Sequence, residues 1–98
     1  MTIEKTQNGA QKTLTLVGRL DTTTAPQLEE EITTGLDGVE ELTFDFAQLE
    51  YISSAGLRVL LAAQKTMNKQ GKMVVCNVNE TIAEVFEITG FSDVLTIV

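Results

Sequence analysis

Residues 44–58 read FDFAQLEYISSAGLR, and this stretch carries the clearest signals of the fold class. Its first residues belong to a strand, because apolar side chains occupy every second position over Glu41–Phe46. It ends in a helix, because Ser53 and Ser54 precede small and apolar residues and serine is a favoured residue at a helix N-cap. A strand, a short loop and a helix in this order indicate an α/β architecture.

Strands and helices alternate outward from this stretch. Strands are predicted at residues 2–5, 13–17, 41–46, 73–77 and 95–98, with a turn at Asn8-Gly9 between the first two. Helices are predicted at residues 24–36, 53–70 and 80–89. Strands separated by helices favour right-handed crossovers and parallel pairing. The sequence therefore predicts one α/β domain over residues 1–98, with a mixed, mostly parallel sheet, an N-terminal β-hairpin and three main helices in the order β-β-α-β-α-β-α-β.

Local signals predict the ends of these helices. Thr24 followed by Gln27 resembles a capping box at the start of the first helix. Gly71 is expected to end the second helix in a left-handed conformation. Asn79 is expected to cap the start of the third helix, and Gly90 is expected to end it in a left-handed conformation.

Charge and hydropathy limit the classes of partner. The net charge is −7, from 14 acidic and 7 basic side chains, which argues against nucleic acid and against an anionic membrane surface. No apolar run approaches the roughly 20 residues of a membrane-spanning helix. The first residues contain no apolar stretch of the kind found in signal peptides. We therefore expect a cytoplasmic protein without membrane insertion.

The residue inventory argues against an enzyme, a cofactor or a metal site. The chain contains no histidine, which removes the imidazole base of most serine and cysteine nucleophiles. Its single cysteine, Cys76, cannot form an internal disulfide or a thiolate metal site, and we expect it to be a small core residue. No glycine-rich dinucleotide or phosphate-binding motif occurs. Carboxylate pairs occur at residues 29–31 and 40–41 on polar segments, where we expect them to be solvated, and a serine–lysine pair stays open.

Charges are unevenly distributed along the chain. Every charged residue between positions 51 and 79 is basic, and the acidic residues lie elsewhere. These basic residues are Arg58, Lys65, Lys69 and Lys72. Two interpretations remain open, namely ordinary solvated faces or a local positive field around the segment that begins at the serine pair.

The serine pair offers more than helix capping requires. One hydroxyl is sufficient to cap a helix, and Ala55 and Gly56 would leave the helix start open to close approach by another protein. A phosphate on Ser54 would lie against free backbone N–H groups at the positive end of the helix. Arg58, four residues later, would reach that phosphate, because helical side chains lean toward the N-terminus. Phosphorylation would then change a contact surface without unfolding the domain.

Three motifs, taken in this order, resemble the STAS domain family, which is named for sulfate transporters and anti-sigma factor antagonists. They are Gly18-Arg19-Leu20-Asp21 followed by Thr24-Ala25, then Asp45 at the end of the central strand, then Ile52-Ser53-Ser54-Ala55-Gly56-Leu57. The resemblance covers essentially the whole chain and is strongest to the stand-alone bacterial anti-sigma factor antagonists.

This resemblance implies a phosphorylation-controlled partner switch in transcription. The unmodified protein would bind an anti-sigma factor that is also a serine kinase, phosphorylation of Ser54 would dissociate the complex, and a serine phosphatase would restore binding. ATP would be the cofactor of the kinase, not of this chain. The residues expected at the partner surface are Asp21, Thr22, Asp45, Ser53, Ser54, Ala55, Gly56 and Arg58.

One position departs from the family pattern and keeps alternatives open. Many family members carry aspartate immediately before the phosphorylated serine, where this chain has Ser53, so Ser53 is an alternative phosphorylation site. A second functional hypothesis is a non-phosphorylated STAS subunit of a transporter or signalling complex. A third is an enzyme that uses Ser54 as its nucleophile.

Overall fold

The computed structural model describes residues 1–98 and confirms the predicted fold class. The elements are β1 (Thr2–Asn8), β2 (Gln11–Leu20), α1 (Ala25–Gly35), β3 (Glu41–Ile52), α2 (Ser54–Gln70), β4 (Lys72–Cys76) and α3 (Glu80–Thr89). A single 3₁₀ turn, Phe91–Asp93, follows α3.

The four strands form one mixed sheet in the order β1-β2-β3-β4. β1 and β2 form the predicted antiparallel hairpin, in which Asn8 is paired with Gln11 and Gly9 adopts φ +62° in the turn. A positive φ of this size is accessible to glycine without a steric penalty. β2–β3 and β3–β4 pair in parallel, as the intervening helices α1 and α2 require.

The hydrophobic core lies between one face of the sheet and the three helices. It is a single cluster of 23 buried residues. The sheet contributes side chains from one face of the strands, and α1, α2 and α3 contribute their apolar stripes. None of the helices is both long enough and apolar enough to cross a membrane.

The central strand β3 is twice as long as the sequence pattern predicts, and it ends at Ile52 instead of Phe46. Its register against β2 shifts twice, between Thr15 and Val17 and again between Gly18 and Arg19, and each shift inserts one extra residue in β3. Each insertion is a β-bulge that turns the following side chains to the other face. The apolar alternation of the sequence therefore breaks at Phe46 while the strand itself continues.

The predicted last strand, residues 95–98, is reduced to a single bridge. Ile97 pairs with Val75 of β4, and Val75 makes backbone hydrogen bonds to Thr96 and Val98. The 3₁₀ turn carries the chain up to Asp93, so only the last few residues run beside β4. This contact is too short to form a fifth strand of the sheet.

The structure confirms the predicted ends of α3 and corrects two others. Asn79 caps α3 by accepting a hydrogen bond from the Ile82 N–H at 2.8 Å, and Gly90 adopts the left-handed conformation. Gly71, in contrast, has an extended φ of 172° after α2. A Cβ atom at this position would collide with the backbone carbonyl of Glu40, so close backbone approach explains the glycine.

The capping box predicted at α1 is also wrong. Thr24 precedes the helix, but its side chain makes no cap hydrogen bond. The Thr24 hydroxyl instead accepts from the Asp21 N–H at 2.8 Å and donates to the Arg19 carbonyl at 2.8 Å. Threonine hydroxyls readily form such local bonds to the backbone, and here they build the loop before the helix.

Candidate phosphorylation site and partner-binding surface

The two serines at the start of α2 have different structural roles. Ser53 is the N-cap residue, with extended backbone angles, and its Oγ accepts a hydrogen bond from the Gly56 N–H at 3.4 Å. Ser54 is the first helical residue and is exposed to solvent. Because Ser53 supplies the cap, the Ser54 hydroxyl is free for other chemistry.

The position of Ser54 suits a phosphoryl group. Its side chain lies at the amino end of a 17-residue helix, where backbone N–H groups without helical partners and the helix dipole favour negative charge. The first turn of α2 contains no acidic residue that would compete for this end. The Ser54 hydroxyl is exposed to solvent and lies outside the hydrophobic core.

The loop between β2 and α1 is held rigidly by Asp21. The Asp21 Oδ1 atom accepts hydrogen bonds from the Thr23 hydroxyl at 2.8 Å, the Thr23 N–H at 3.0 Å and the Thr24 N–H at 3.2 Å. The hydrogen bond from the Thr23 hydroxyl, helped by those from the two N–H groups, lowers the pKa of Asp21 below its ordinary value. Asp21 thus stays ionised and supports the loop geometry.

This loop lies next to the start of α2. The Ser53 N–H donates to the carbonyl of Leu20, the last residue of β2, at 2.9 Å. A groove between the amino ends of α1 and α2 is lined by Thr22 and Glu29 from the α1 side and by Ala55 and Arg58 from α2. The fold therefore collects most of the predicted partner-binding residues at one end of the molecule.

Gly56 does not belong to this outer surface. It is buried, and a Cβ atom there would lie 2.7 Å from Leu20 Cγ and 2.9 Å from Ile52 Cγ1. Both neighbours are core side chains with almost no exposure. Gly56 therefore allows α2 to pack tightly on the ends of β2 and β3, and it does not hold the helix start open to a partner.

Asp45 lies apart from the serines, because β3 does not end where the sequence pattern predicts. Asp45 pairs with Cys76, the last residue of β4, and seven further residues of β3 lead to Ile52. Because Asp45 pairs with Thr15 and Ile52 pairs with Leu20, the separation along the sheet is five residues of β2, or about 17 Å. Its Oδ1 accepts from the Asn77 amide at 3.0 Å and from the Ala47 N–H at 3.0 Å, and the bond from Asn77 is the main reason that the pKa of Asp45 is lowered.

Cys76 is not the core residue that its sequence context predicts. It is half-buried on the sheet face opposite the helices and is absent from the hydrophobic cluster. Desolvation raises the pKa of the Cys76 thiol, and the neighbouring Asp45 carboxylate adds to this effect. The thiol is therefore less reactive than a free one.

Two side chains of this surface were not assigned a role by the sequence motifs. The guanidinium of Arg19 stacks on the ring of Tyr51 at 4.5 Å from its centroid, and Arg19 Nε lies 3.8 Å from Asp21 Oδ2. Tyr51 is 37% exposed near the end of β3, so its ring and the Arg19 guanidinium are accessible at this surface. It is the only tyrosine of the chain and lies two residues before Ser53, which is the signal that would have singled it out.

Comparison with known proteins relates this geometry to a family. A family model described as the STAS domain matches residues 2–98. The Bordetella bronchiseptica protein BtrV, named as an anti-sigma factor antagonist, is 39% identical over 84 residues, which are 84% of this chain and 72% of that protein. The anti-sigma-B factor antagonist of Staphylococcus aureus is 32% identical over 80 residues, which are 80% of this chain and 74% of that protein.

A solved structure supports the fold. The phosphorylated form of the Bacillus cell fate determinant SpoIIAA matches with a TM-score of 0.77 and 19% identity, over 99% of this chain and 91% of that chain. Together with the matching family model, these likenesses confirm the resemblance that the three sequence motifs indicate.

Proposed function

This chain belongs to the STAS domain family, and we propose that it acts there as an anti-sigma factor antagonist switched by phosphorylation of Ser54. In the unmodified state residues 1–98 act as one cytoplasmic binding domain that sequesters an anti-sigma factor with serine kinase activity. Phosphorylation of Ser54 releases that partner, and a serine phosphatase reverses the modification. The chain itself is a binding module that catalyses no reaction and uses no cofactor.

One observation carries this proposal: Ser54 is exposed at the start of α2 while the neighbouring Ser53 performs the capping. The two hydroxyls differ in availability, which favours Ser54 over Ser53 as the phosphate acceptor. The names of the two similar proteins support the same class of partner, since both are described as anti-sigma factor antagonists. No observation favours the transporter-subunit hypothesis over this one.

The physical effect of the modification is local. A phosphate would add about −1.5 to −2 charges at neutral pH to the surface formed by the β2–α1 loop and the start of α2. A partner docked there would have to desolvate this charge or accommodate it, and either requirement weakens binding. The core contacts of Gly56 and Leu57, which face inward, would not change.

The test uses purified anti-sigma factor kinases of the same cell, each mixed with this chain and ATP. We expect one of them to bind the chain, to phosphorylate Ser54 and then to release it, with the site mapped by peptide mass spectrometry. The Ser54→Ala variant should bind without being released, and Ser54→Asp should not bind although its thermal unfolding stays near that of the wild type.

Ser53→Ala is the matched control, because it removes the adjacent hydroxyl but leaves the proposed acceptor. It should still be phosphorylated and released. Phosphate found on Ser53 instead would move the switch to that residue, and wild-type binding by Ser54→Asp would reject a switch at Ser54.

A further inference from the structure

The seven basic residues of the chain fall into two groups according to their ion pairs. Four have a carboxylate oxygen within 3.8 Å; they are Lys5, Lys12, Arg19 and Lys72. The remaining three all lie on α2 and have no such partner; they are Arg58, Lys65 and Lys69. Since α2 contains no acidic residue, it presents three uncompensated positive charges in a chain of net charge −7.

These three cations form one line on the exposed side of the helix. They are all solvent-exposed and are separated by seven and four residues. At 3.6 residues per turn they lie within an arc of about 40°, over a length of about 16 Å. We call the surface of Arg58, Lys65 and Lys69 the basic stripe. Ser54 is exposed one turn before Arg58, so it stands at the amino-terminal end of this stripe.

Folding stability explains only one member of the basic stripe. Lys69 lies in the last turn of α2, where a cation complements the helix dipole. Arg58 lies in the amino-terminal half of the same helix, so the helix dipole does not stabilise it as it stabilises Lys69. Lys65 and Lys69 are like charges four residues apart, a spacing that destabilises helices. A helix with this arrangement gains from a negatively charged surface outside the chain.

We propose that the basic stripe docks an acidic face of the anti-sigma factor, an inference that rests on the proposed function and extends its binding surface along α2. Because the basic stripe is positively charged, the complementary surface of the partner is one rich in aspartate and glutamate. Glu29 of α1 lies across the groove from Arg58, so the adjacent helix presents the opposite sign. Segregation of charge in this way fixes the orientation of a partner as well as attracting it.

This surface gives the phosphorylation switch a second physical component. A phosphate on Ser54 brings about −1.5 to −2 charges to the end of a stripe that carries three positive charges. It therefore cancels much of the attraction that the acidic partner surface experiences, in addition to repelling that surface directly. The switch acts by removing complementarity at the docking surface.

The test compares two double variants with the same change in net charge. Lys65→Gln/Lys69→Gln removes two charges of the basic stripe, whereas Lys5→Gln/Lys72→Gln removes two exposed lysines from other parts of the surface. Dissociation constants are measured against the purified anti-sigma factor kinase at several salt concentrations. We expect the stripe variant to bind at least tenfold more weakly at low salt and to show a smaller salt dependence, and the control variant to bind within about twofold of the wild type.

The possible results distinguish the role of the basic stripe from the phosphorylation switch at Ser54. Equal affinities of the stripe variant and the control variant would overturn the inference while leaving the phosphorylation switch intact. The wild-type chain could bind vesicles rich in anionic phospholipid, and the stripe variant could lose this binding while it still binds the kinase normally. That result would assign the basic stripe to a membrane surface and would also overturn the inference. If the wild-type chain binds no anti-sigma factor, the proposed function itself fails. Thermal unfolding of both variants establishes that they are folded.

Discussion

The ion pair between Lys12 and Glu31 links the sheet to α1, and its removal is expected to destabilise the fold. The Lys12 side chain is buried, with 6% of its surface exposed. Its Nζ donates hydrogen bonds to Glu31 Oε2 at 2.9 Å and to the Gly35 carbonyl at 2.8 Å. Lys5 provides Glu31 with a second, exposed cation at 3.0 Å. Glu31→Gln would leave the buried ammonium group of Lys12 without a counter-charge.

The expected magnitude follows from this geometry. Breaking a fully buried ion pair by removing one partner costs about 3–5 kcal/mol. Glu31 keeps some solvent exposure, and the glutamine amide oxygen still accepts a hydrogen bond, so we expect about 2 kcal/mol for Glu31→Gln at pH 7. In a domain of this size that corresponds to a fall in Tm of roughly 8–16 °C. Glu30→Gln is the matched control, because Glu30 is exposed, adjacent and forms no ion pair.

The pH dependence supplies an independent check. The hydrogen bond from Lys12, together with that from Lys5, lowers the pKa of Glu31 from its ordinary value of 4.5. A carboxyl group with a lowered pKa in the folded state contributes stability above its unfolded pKa, and this contribution is lost as the pH falls through the folded pKa. Urea unfolding should therefore show a difference between wild type and Glu31→Gln at pH 7 that shrinks below about pH 4.5. A Glu31→Gln variant as stable as Glu30→Gln, or a deficit that does not change on acidification, would show that the Lys12–Glu31 ion pair does not stabilise the fold.

Four further substitutions have expected effects on stability. Gln64 is 8% exposed and its Oε1 has no hydrogen-bond partner, so Gln64→Met should raise the free energy of unfolding by about 1 kcal/mol in urea titrations. Ser53→Ala should lower the free energy of unfolding by about 1 kcal/mol, because the α2 cap is lost. Ser54→Ala should change the free energy of unfolding by less than about 0.5 kcal/mol. Equal losses for the two variants would contradict the assignment of Ser53 as the cap. Gly71→Ala should cost about 2 kcal/mol or more, because its methyl group would collide with the Glu40 carbonyl; a thermal unfolding midpoint like that of the wild type would exclude this contact.

The elements with strong local signals were predictable from the sequence. Helix α3 follows from Asn79, Gly90 and an apolar stripe, and each of these signals acts within a few residues. The β1–β2 hairpin follows from the turn beside Gly9 in the same way. The position of Ser54 at the start of α2 also follows from the serine pair, because a capping serine precedes the first helical residue; its phosphorylation stays a prediction.

Features set by contacts between distant segments were not predictable. The bulges of β3 are defined by its register against β2, so the sequence pattern placed Asp45 at a strand end that lies seven residues further on. Gly56 and Gly71 look alike as helix-associated glycines, but each is required by a different neighbour across the fold. The ion pair of Lys12 joins residues 19 positions apart, and periodicity gives no sign of it.

A phosphoryl group on Ser54 is expected to abolish partner binding without unfolding the domain. The most direct measurement is calorimetric titration of the purified anti-sigma factor kinase with two forms of this chain, one unmodified and one stoichiometrically phosphorylated at Ser54. We expect the phosphorylated form to bind at least 100-fold more weakly, which corresponds to about 2.7 kcal/mol, while its thermal unfolding midpoint remains near that of the unmodified form. Equal dissociation constants for the two forms would mean that phosphorylation of Ser54 does not control partner binding.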